Sequence, residues 1–420
     1  MKGLTKFLLS AAIVALTGCS DSEDAPKMET GRVKFEPIDL NDSEVEIVKQ
    51  QNSFSLGLFG KIYEEDLYKT NNFMLSPLSV SMALSMIANG AQGQTMEEIV
   101  NTLGFEGMDM EAINRFNHRM AGELAEADRS TSLSLAGSIW IDRQIEVYDS
   151  FISDNREYFG AEIFDNVELC SEDTRNAINS WASDKTRGMI PEFLKKPLNS
   201  AVMYVMNALY FKSIWAPKFD KALTAEGTFH NADGSEGHPM MMKVTQYGFS
   251  ACHDDNGGAS WAGFTYGNGA YELMTILPDP GVTLAGYLTG LTEEDVAKMT
   301  NRYFWRPYEG TIVFPKMEIS TQLQLEDLMK SLGIVDAFSD GEADFSKISP
   351  MALYINGVQH DTRIIFNEEG TEAAAVTGMG MDMANGNLMS SNLTFDRPFA
   401  FQIRERSTGA ILFMGCVNKL

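Results

Sequence analysis

The most constraining stretch of the chain is Phe366–Met383, FNEEGTEAAAVTGMGMDM, because its two halves give the backbone different instructions. Side chains of a strand alternate between faces, and one parity reads Thr371, Ala373, Ala375, Thr377, Met379, Met381 and Met383, with no charge. The other parity is Glu372, Ala374, Val376, Gly378, Gly380 and Asp382, so both acids fall on the opposite face. That is a strand pattern with small or apolar residues on one side. Yet Gly378, Gly380, Gly386 and the polar run Ser390-Ser391-Asn392 are what an exposed loop contains. The stretch reads as a loop that can become a strand.

The rest of the chain reads as globular. Of 420 residues, 44% are hydrophobic and 22% charged, enough for one large domain or two ordinary ones. No internal repeat and no second domain is visible. Fifty-eight acids against 33 bases give a net charge of −25, which argues against nucleic acid or anionic lipid bound through the protein surface. No nucleic-acid partner is expected. Ile47, Phe54, Leu58 and Ile62 share one face of a helix that begins near Ser43. Ser76 suits a helix N-cap with Pro77 at the first helical position, and Thr95-Met-Glu-Glu98 predicts a capping box for a short helix ending near Gly104. Leu133, Leu135, Ile139 and Ile141 alternate as a strand, and an amphipathic helix follows from Asp149 to Phe159. Ala201–Phe211 is nearly all apolar, as a central strand requires, with Asn207 the polar exception.

At the N-terminus, Lys2 and Lys6 precede a run, Phe7–Leu16, that is too short to span a bilayer and suits a signal peptide. It ends in Leu16-Thr17-Gly18-Cys19, which resembles a bacterial lipoprotein box. The resemblance implies that residues 1–18 are removed and that Cys19 becomes acylated, a membrane contact made only through the lipid. Residues 19–42, with Asp21, Glu23 and Asp24, read as an acidic tether. Acids directly after the cysteine resemble surface-export signals of some Gram-negative lipoproteins. The expected location is the bacterial outer membrane, on the cell surface or the periplasmic face. Cys170, Cys252 and Cys416 are scattered and odd in number, so no disulfide is assigned. His118, His230, His238, His253 and His360 have no metal-ligand spacing, and no nucleophile elbow or phosphate-cradling loop appears. No metal, cofactor or catalytic residue is expected, and the chain is not read as an enzyme.

Glu368-Glu-Gly-Thr-Glu-Ala-Ala-Ala-Val-Thr377 resembles the hinge of the reactive-centre loop in serpins, specifically the inhibitory ones. Other segments are similar to the same family: Phe73-x-x-Ser-Pro-x-Ser79, Gly90-Ala-x-Gly-x-Thr95, Asn176-x-x-Asn-x-Trp181, Thr186-x-Gly-x-Ile190, Met240–Met242, Leu277-Pro278, Phe314-Pro-Lys316, Leu332-Gly333 with Phe338-Ser339, Asp396-Arg-Pro-Phe399 and Leu412-Phe-Met-Gly415. Ser213 stands where the family usually has Gly. The resemblance covers about 43–420 and implies an α+β serpin fold: three β-sheets, eight to nine helices and an exposed reactive-centre loop at about 368–394. It further implies a monomeric, irreversible, suicide-type inhibitor. A serine or cysteine endopeptidase cleaves the loop, which then inserts into the main sheet and drags the acyl-linked protease along. The implied hinge is Glu368, Glu369, Gly370, Thr371, Glu372, Ala373, Ala374, Ala375, Val376 and Thr377. Insertion requires small side chains where the hinge enters first, and Thr371, Ala373 and Ala375 satisfy this. Val376 is bulkier but has outward parity. Thr371–Met383, at roughly 1 kcal/mol net per ladder bond, yields on the order of 10 kcal/mol. A protease domain is typically stable by ~5–15 kcal/mol, so such a release is enough to disorder its active site.

By the same resemblance His360 aligns with a buried shutter histidine under the centre of the sheet, with Ser76, Ser79 and Asn207 as hydrogen-bonding partners. Glu368 and Lys316 should form an exposed pair at the top of the sheet, with Trp215 beneath. The family's usual count puts the reactive bond between Ala384 and Asn385. The segment from there to Phe395 is longer than typical, so Met381, Met383, Leu388 and Met389 are rival sites. Between Arg363 and Arg397 there is neither Lys nor Arg. A trypsin-like protease has nothing there to grip, and elastase- or subtilisin-like targets, with chymotrypsin- or papain-like ones beside them, are expected. The alternative is a non-inhibitory serpin serving as a binding or carrier module. Its usual mark is bulk, charge or proline where the hinge enters. A third class, an unrelated envelope hydrolase, would turn over peptide substrates.

Overall fold

The two stretches most strongly patterned as strands pair with each other. Strand β2 (Ser132–Asp142) runs antiparallel to β4 (Met203–Ile214), from Ser132↔Lys212 to Ile141↔Met203. The structure is a computed structural model that describes residues 35–198, 201–216, 218–291, 295, 305–371 and 389–420. This pair forms one side of a six-stranded sheet. Across it the order is β12 (Met317–Gln324), β13 (Gln359–Phe366), β14 (Gly370–Thr371), β4, β2 and β3 (Glu162–Val167). In β13, His360, Thr362, Ile364 and Phe366 are buried while the residues between them are half-exposed. The period of two along β12 and β13 thus points one face into the core.

That face meets a ten-stranded sheet, in which Phe401 packs edge-on against Phe366 with ring centres 5.5 Å apart. Its main path is β1 (Phe73–Leu75), β18 (Ile411–Val417), β17 (Phe399–Glu405), β10 (Tyr271–Pro278), β9 (Ala259–Thr265), β8 (Met240–Asp254), β11 (Arg306–Pro315) and β15 (Met389–Ser390). Strand β16 (Leu393–Thr394) also lies on β11, and β5 (Asp220–Glu226) on β8. A separate pair joins β6 (Phe229–His230) to β7 (Glu236–Gly237).

Eight α-helices lie among the described residues: α1 (Asp42–Glu64), α2 (Pro77–Ala88), α3 (Gly93–Thr102), α4 (Met110–Glu126), α5 (Asp149–Phe159), α6 (Glu172–Lys185), α7 (Leu284–Gly290) and α8 (Glu326–Ser331). Helix α1 starts at a reciprocal capping box between Asn41 and Glu44. Ser76 caps α2 with Pro77 just inside. The predicted box at Thr95–Glu98 is corrected: α3 is capped at Gln92 without a side-chain bond. Thr95 Oγ1 instead accepts from the Asp344 N–H at 2.9 Å, and Glu98 accepts from the N–H groups of Val335 and Asp336 at 2.7 and 2.8 Å. Two residue types fit for capping serve as cross-links to a distant segment.

The domain also begins earlier than residue 43. Ile38 is buried and its N–H donates to Ser407 Oγ at 3.0 Å, while the Arg406 guanidinium sits over the Phe35 ring. Residues 35–42, assigned by composition to a solvated tether, lie against the body. Cys19 and residues 1–34 lie outside the described residues.

Candidate functional site

The site starts where β13 ends. Asn367–Gly370 forms a tight turn closed by reciprocal main-chain bonds, Asn367 N–H to Gly370 O at 3.0 Å and Gly370 N–H to Asn367 O at 3.2 Å. Asn367 Oδ1 stiffens the turn by accepting from the Glu369 N–H at 3.0 Å. The chain reverses there, and β14 runs back between two strands: Thr371 opposes Phe366 of β13 on one side and Ser213 of β4 on the other, antiparallel to both. Gly370 is required by that close approach, since a Cβ would lie 1.9 Å from the Ser213 carbonyl oxygen. Thr371 is 1% exposed, and its hydroxyl lies 2.6 Å from Tyr266 Oη.

The turn is fastened from outside. Trp215 Nε1 donates to Asn367 O at 2.9 Å, and the indole stacks on Tyr266 with centres 4.6 Å apart. Main-chain carbonyls of Glu369 and Glu368 accept from the N–H groups of Trp215 and Phe219. The Glu368–Lys316 pair exists at 3.3 Å, but it is not the exposed pair expected from sequence: the Glu368 side chain is 7% exposed against 47% for Lys316, and it also accepts from Thr224 Oγ1 at 3.1 Å. Burial works to raise the Glu368 carboxyl, and hydrogen bonds from its own backbone N–H, Lys316 and Thr224 outweigh it and hold the pKa down. Glu369 is clamped by Lys218 and Lys221, which likewise keep it ionised.

Among the described residues no ladder bond joins β4 directly to β13, although both bond to β14. A cleft of about 270 Å³ lies at the other end of β4 from Thr371, walled by Met203 and Val205 on one side and by Leu353 and Ile355, ahead of β13, on the other, with Ala83 and Ile87 of α2 lining it too. His360 and Asn207 line it as well. His360 Nε2 accepts from the Ser76 N–H at 2.9 Å, so the ring is held in its neutral form with the proton on Nδ1. Burial pushes its pKa down from 6.5 to about 4. Ser76 Oγ accepts from the Ser79 N–H and donates to Leu412 O, and Ser79 Oγ donates to the main-chain carbonyl of Asn207 at 3.1 Å. The four residues therefore do meet, through backbone groups for Ser76 and Asn207. Asn207 Oδ1 is buried and unpaired.

The neighbour Asp361 titrates the other way. Burial raises its carboxyl to about 6, against hydrogen bonds from Gln322 and Gln359 and the nearby Lys195 charge. A depressed histidine contributes stability that is present above 6.5 and lost as pH falls towards 4. A raised carboxyl contributes stability that is present below 3.8 and lost as pH rises through about 6. The two slopes oppose each other over the same window. Asp361→Asn is therefore expected to uncover the histidine slope: urea midpoints taken at pH 7 and 4.5 should show a loss of about 2 kcal/mol in the variant and a visibly smaller loss in the parent chain. Equal losses in both would refute the assignment.

A protein chain with an extra strand wedged into the mouth of a split sheet has recognisable relatives. The family model described as Serpin (serine protease inhibitor) matches residues 49–420. The chain belongs to the serpin family. It is 31% identical to a serine protease inhibitor of Cyanea capillata over 350 residues, covering 82% of this chain and 91% of that one. The native state of a thermophilic serpin, tengpin, superposes with a TM-score of 0.78 at 28% identity, over 93% and 98% of the two chains. Human thyroxine-binding globulin superposes with a TM-score of 0.80 at 23% identity, over 90% and 99%, a likeness of fold alone. Serpins are for the most part protease inhibitors without turnover of their own, so a protease is the general class of partner.

Within this serpin, Glu368, Glu369, Gly370 and Thr371 of the expected hinge are described, together with Trp215 and Lys316 around them. Glu372, Ala373, Ala374, Ala375, Val376, Thr377, Met381, Met383, Ala384, Asn385 and Leu388 lie outside the described residues. Met389 is 52% exposed and held in β15 opposite Tyr308. Sequence reasoning missed Tyr266, Thr224, Lys218 and Lys221. The lysines carried a signal: a Lys-Phe-Asp-Lys cluster, Lys218–Lys221, is unusual in so acidic a chain and lies just past the predicted central strand. Ser213, the departure from the family's glycine, is fully buried with its hydroxyl 2.6 Å from Thr131 Oγ1.

Proposed function

We propose that this serpin is an irreversible, suicide-type inhibitor of serine endopeptidases with small or apolar primary specificity, elastase- or subtilisin-like, and of cysteine endopeptidases with the same preference. The observation that supports it best is Gly370–Thr371 seated between β4 and β13, two strands that share no ladder bond among the described residues. In this reading the protease nucleophile attacks the carbonyl of Ala384, the Asn385 amine leaves, and the acyl bond ties enzyme to loop. Thr371–Met383 then continues β14 downward, bonding to both flanking strands. At roughly 3.3 Å per residue that travel is about 40 Å, comparable with the length of β4. Met381, Met383 and Leu388 are alternative bonds, and Met389 suits least because its backbone already pairs with β11.

The protease is carried away before its acyl bond is hydrolysed. Incubation with elastase is expected to give a covalent complex stable on a denaturing gel, and trypsin none, because Lys and Arg are absent between Arg363 and Arg397. A complex with trypsin alone overturns the specificity. The same reading makes the chain a monomer on the outer membrane, at the cell surface or its periplasmic face. Residues 1–18 are removed, Cys19 is acylated, and an acidic tether reaches the body near Phe35. Acyl-chain labelling that persists in Cys19→Ala would remove the anchor from the account.

A further inference from the structure

The hairpin between β8 and β9 meets the turn that leads from β10 into α7 in one small junction. The Gly258 N–H donates to Asp254 O at 2.8 Å and closes the hairpin, and the Asp279 N–H donates to Gly258 O at 2.9 Å and sets the turn against the hairpin tip. On its inner side the junction is held by Tyr287 of α7, whose hydroxyl accepts from Trp261 Nε1 at 2.6 Å and donates to Asp254 Oδ2 at 3.1 Å. Burial and the Asp254 charge push the Tyr287 pKa up, so this tie keeps its proton through the neutral range. The outer side is closed differently. His253 Nδ1 lies 2.9 Å from Asp255 Oδ1, and His253 Nε2 lies 3.0 Å from Asp279 Oδ2. An ionised carboxylate only accepts, so both ring nitrogens must donate, and the ring that can do so is the imidazolium. A neutral ring would turn a lone pair onto one of the two carboxylates.

We infer that His253 is a pH-sensitive clasp: charged, it ties the tip of the β8–β9 hairpin to the turn that starts α7, and on losing its proton it lets one of the two go. The charged and titratable groups of the junction are Asp254 and Asp255 from the hairpin, Asp279 from the turn and Tyr287 from α7, with Asp295 adding its charge beside Tyr287. Burial of the ring works against its charge, but the hydrogen bonds to Asp255 and Asp279, and the charges of both, outweigh it and raise the pKa above 6.5. A raised histidine contributes stability that is fully present below 6.5 and lost as pH rises through its folded value. The ring is 40% exposed, so its proton passes directly to water, and the clasp has the modest strength of a surface ion pair. It joins only the hairpin and the turn, and does not depend on the loop-insertion reading.

The test titrates the C2 proton of His253 by NMR in the full chain, its signal assigned by its loss in His253→Gln. The parent midpoint is expected above 6.5, lower in Asp255→Asn and in Asp279→Asn, and lowest when both are replaced. A second readout is amide hydrogen exchange by mass spectrometry, on peptides spanning the hairpin tip and the turn, corrected for the pH dependence of intrinsic exchange. At low salt, exchange in the parent should speed about threefold between about pH 5.5 and about pH 8.5, the size of one exposed pair, and in His253→Gln it should stay level. A parent midpoint at or below 6.5, or one that Asp279→Asn leaves unmoved, overturns the bridge. Exchange that is level in the parent, or that keeps its rise in His253→Gln, overturns the clasp.

Discussion

Replacing Thr371 by Arg is expected to turn the inhibitor into a substrate. Thr371 is buried, hydrogen-bonded to Tyr266 and flanked by Phe366 and Ser213, so a guanidinium there has no carboxylate to meet and no route to water. Burying an unpaired charge costs several kcal/mol. That cost expels β14 from between β4 and β13 in the uncleaved chain and must be met again on insertion, while the bait bond, more than ten residues further along the sequence, is still attacked. The acyl intermediate partitions between insertion and hydrolysis, and each 1.4 kcal/mol added to one barrier shifts the partition about tenfold. Moles of inhibitor consumed per mole of elastase should therefore rise from about one to well above ten, while the rate of loop cleavage stays within a few-fold. Thr371→Ser, which keeps the hydroxyl, should behave as the parent. A Thr371→Arg protein that still traps elastase one-to-one would show that insertion does not depend on what the sheet accepts at this position.

The sequence was most informative where local chemistry and tertiary packing agree. Ser76 begins a helix because its side chain accepts from a first-turn N–H, and Pro77 follows it because it has no N–H to leave unpaired. Asp149–Phe159 is helical over the span its periodicity predicts. Thr95 and Glu98 failed as a capping box because their oxygens are claimed by main-chain donors of Asp344, Val335 and Asp336, more than two hundred residues away, which no local pattern reveals. Glu368 was misjudged for a related reason: a carboxylate in a turn reads as exposed, and only the fold brings Thr224 and Lys316 around it. The parity of Thr371 and the smallness of Gly370 were legible in the sequence, but the reason for them, a sheet parted between β4 and β13, depends on pairings between distant segments. His360 carries no local sign of its environment. Its neutral state follows from burial and from the Ser76 N–H it accepts.

The second large effect is thermal. Among the described residues β4 and β13 share no ladder bond, and in the proposed reading a continuing β14 releases on the order of 10 kcal/mol for Thr371–Met383. At about 1.3 °C per kcal/mol for a domain of this size, filling the gap should raise the melting temperature by roughly 12 °C. The decisive measurement is the melting temperature of the chain before and after a single elastase nick between residues 381 and 388, with both fragments retained. A rise of that size, with the fragments inseparable until denatured, is the predicted result. An unchanged or lowered melting temperature would mean that the gap between β4 and β13 receives no strand, and it would contradict the account.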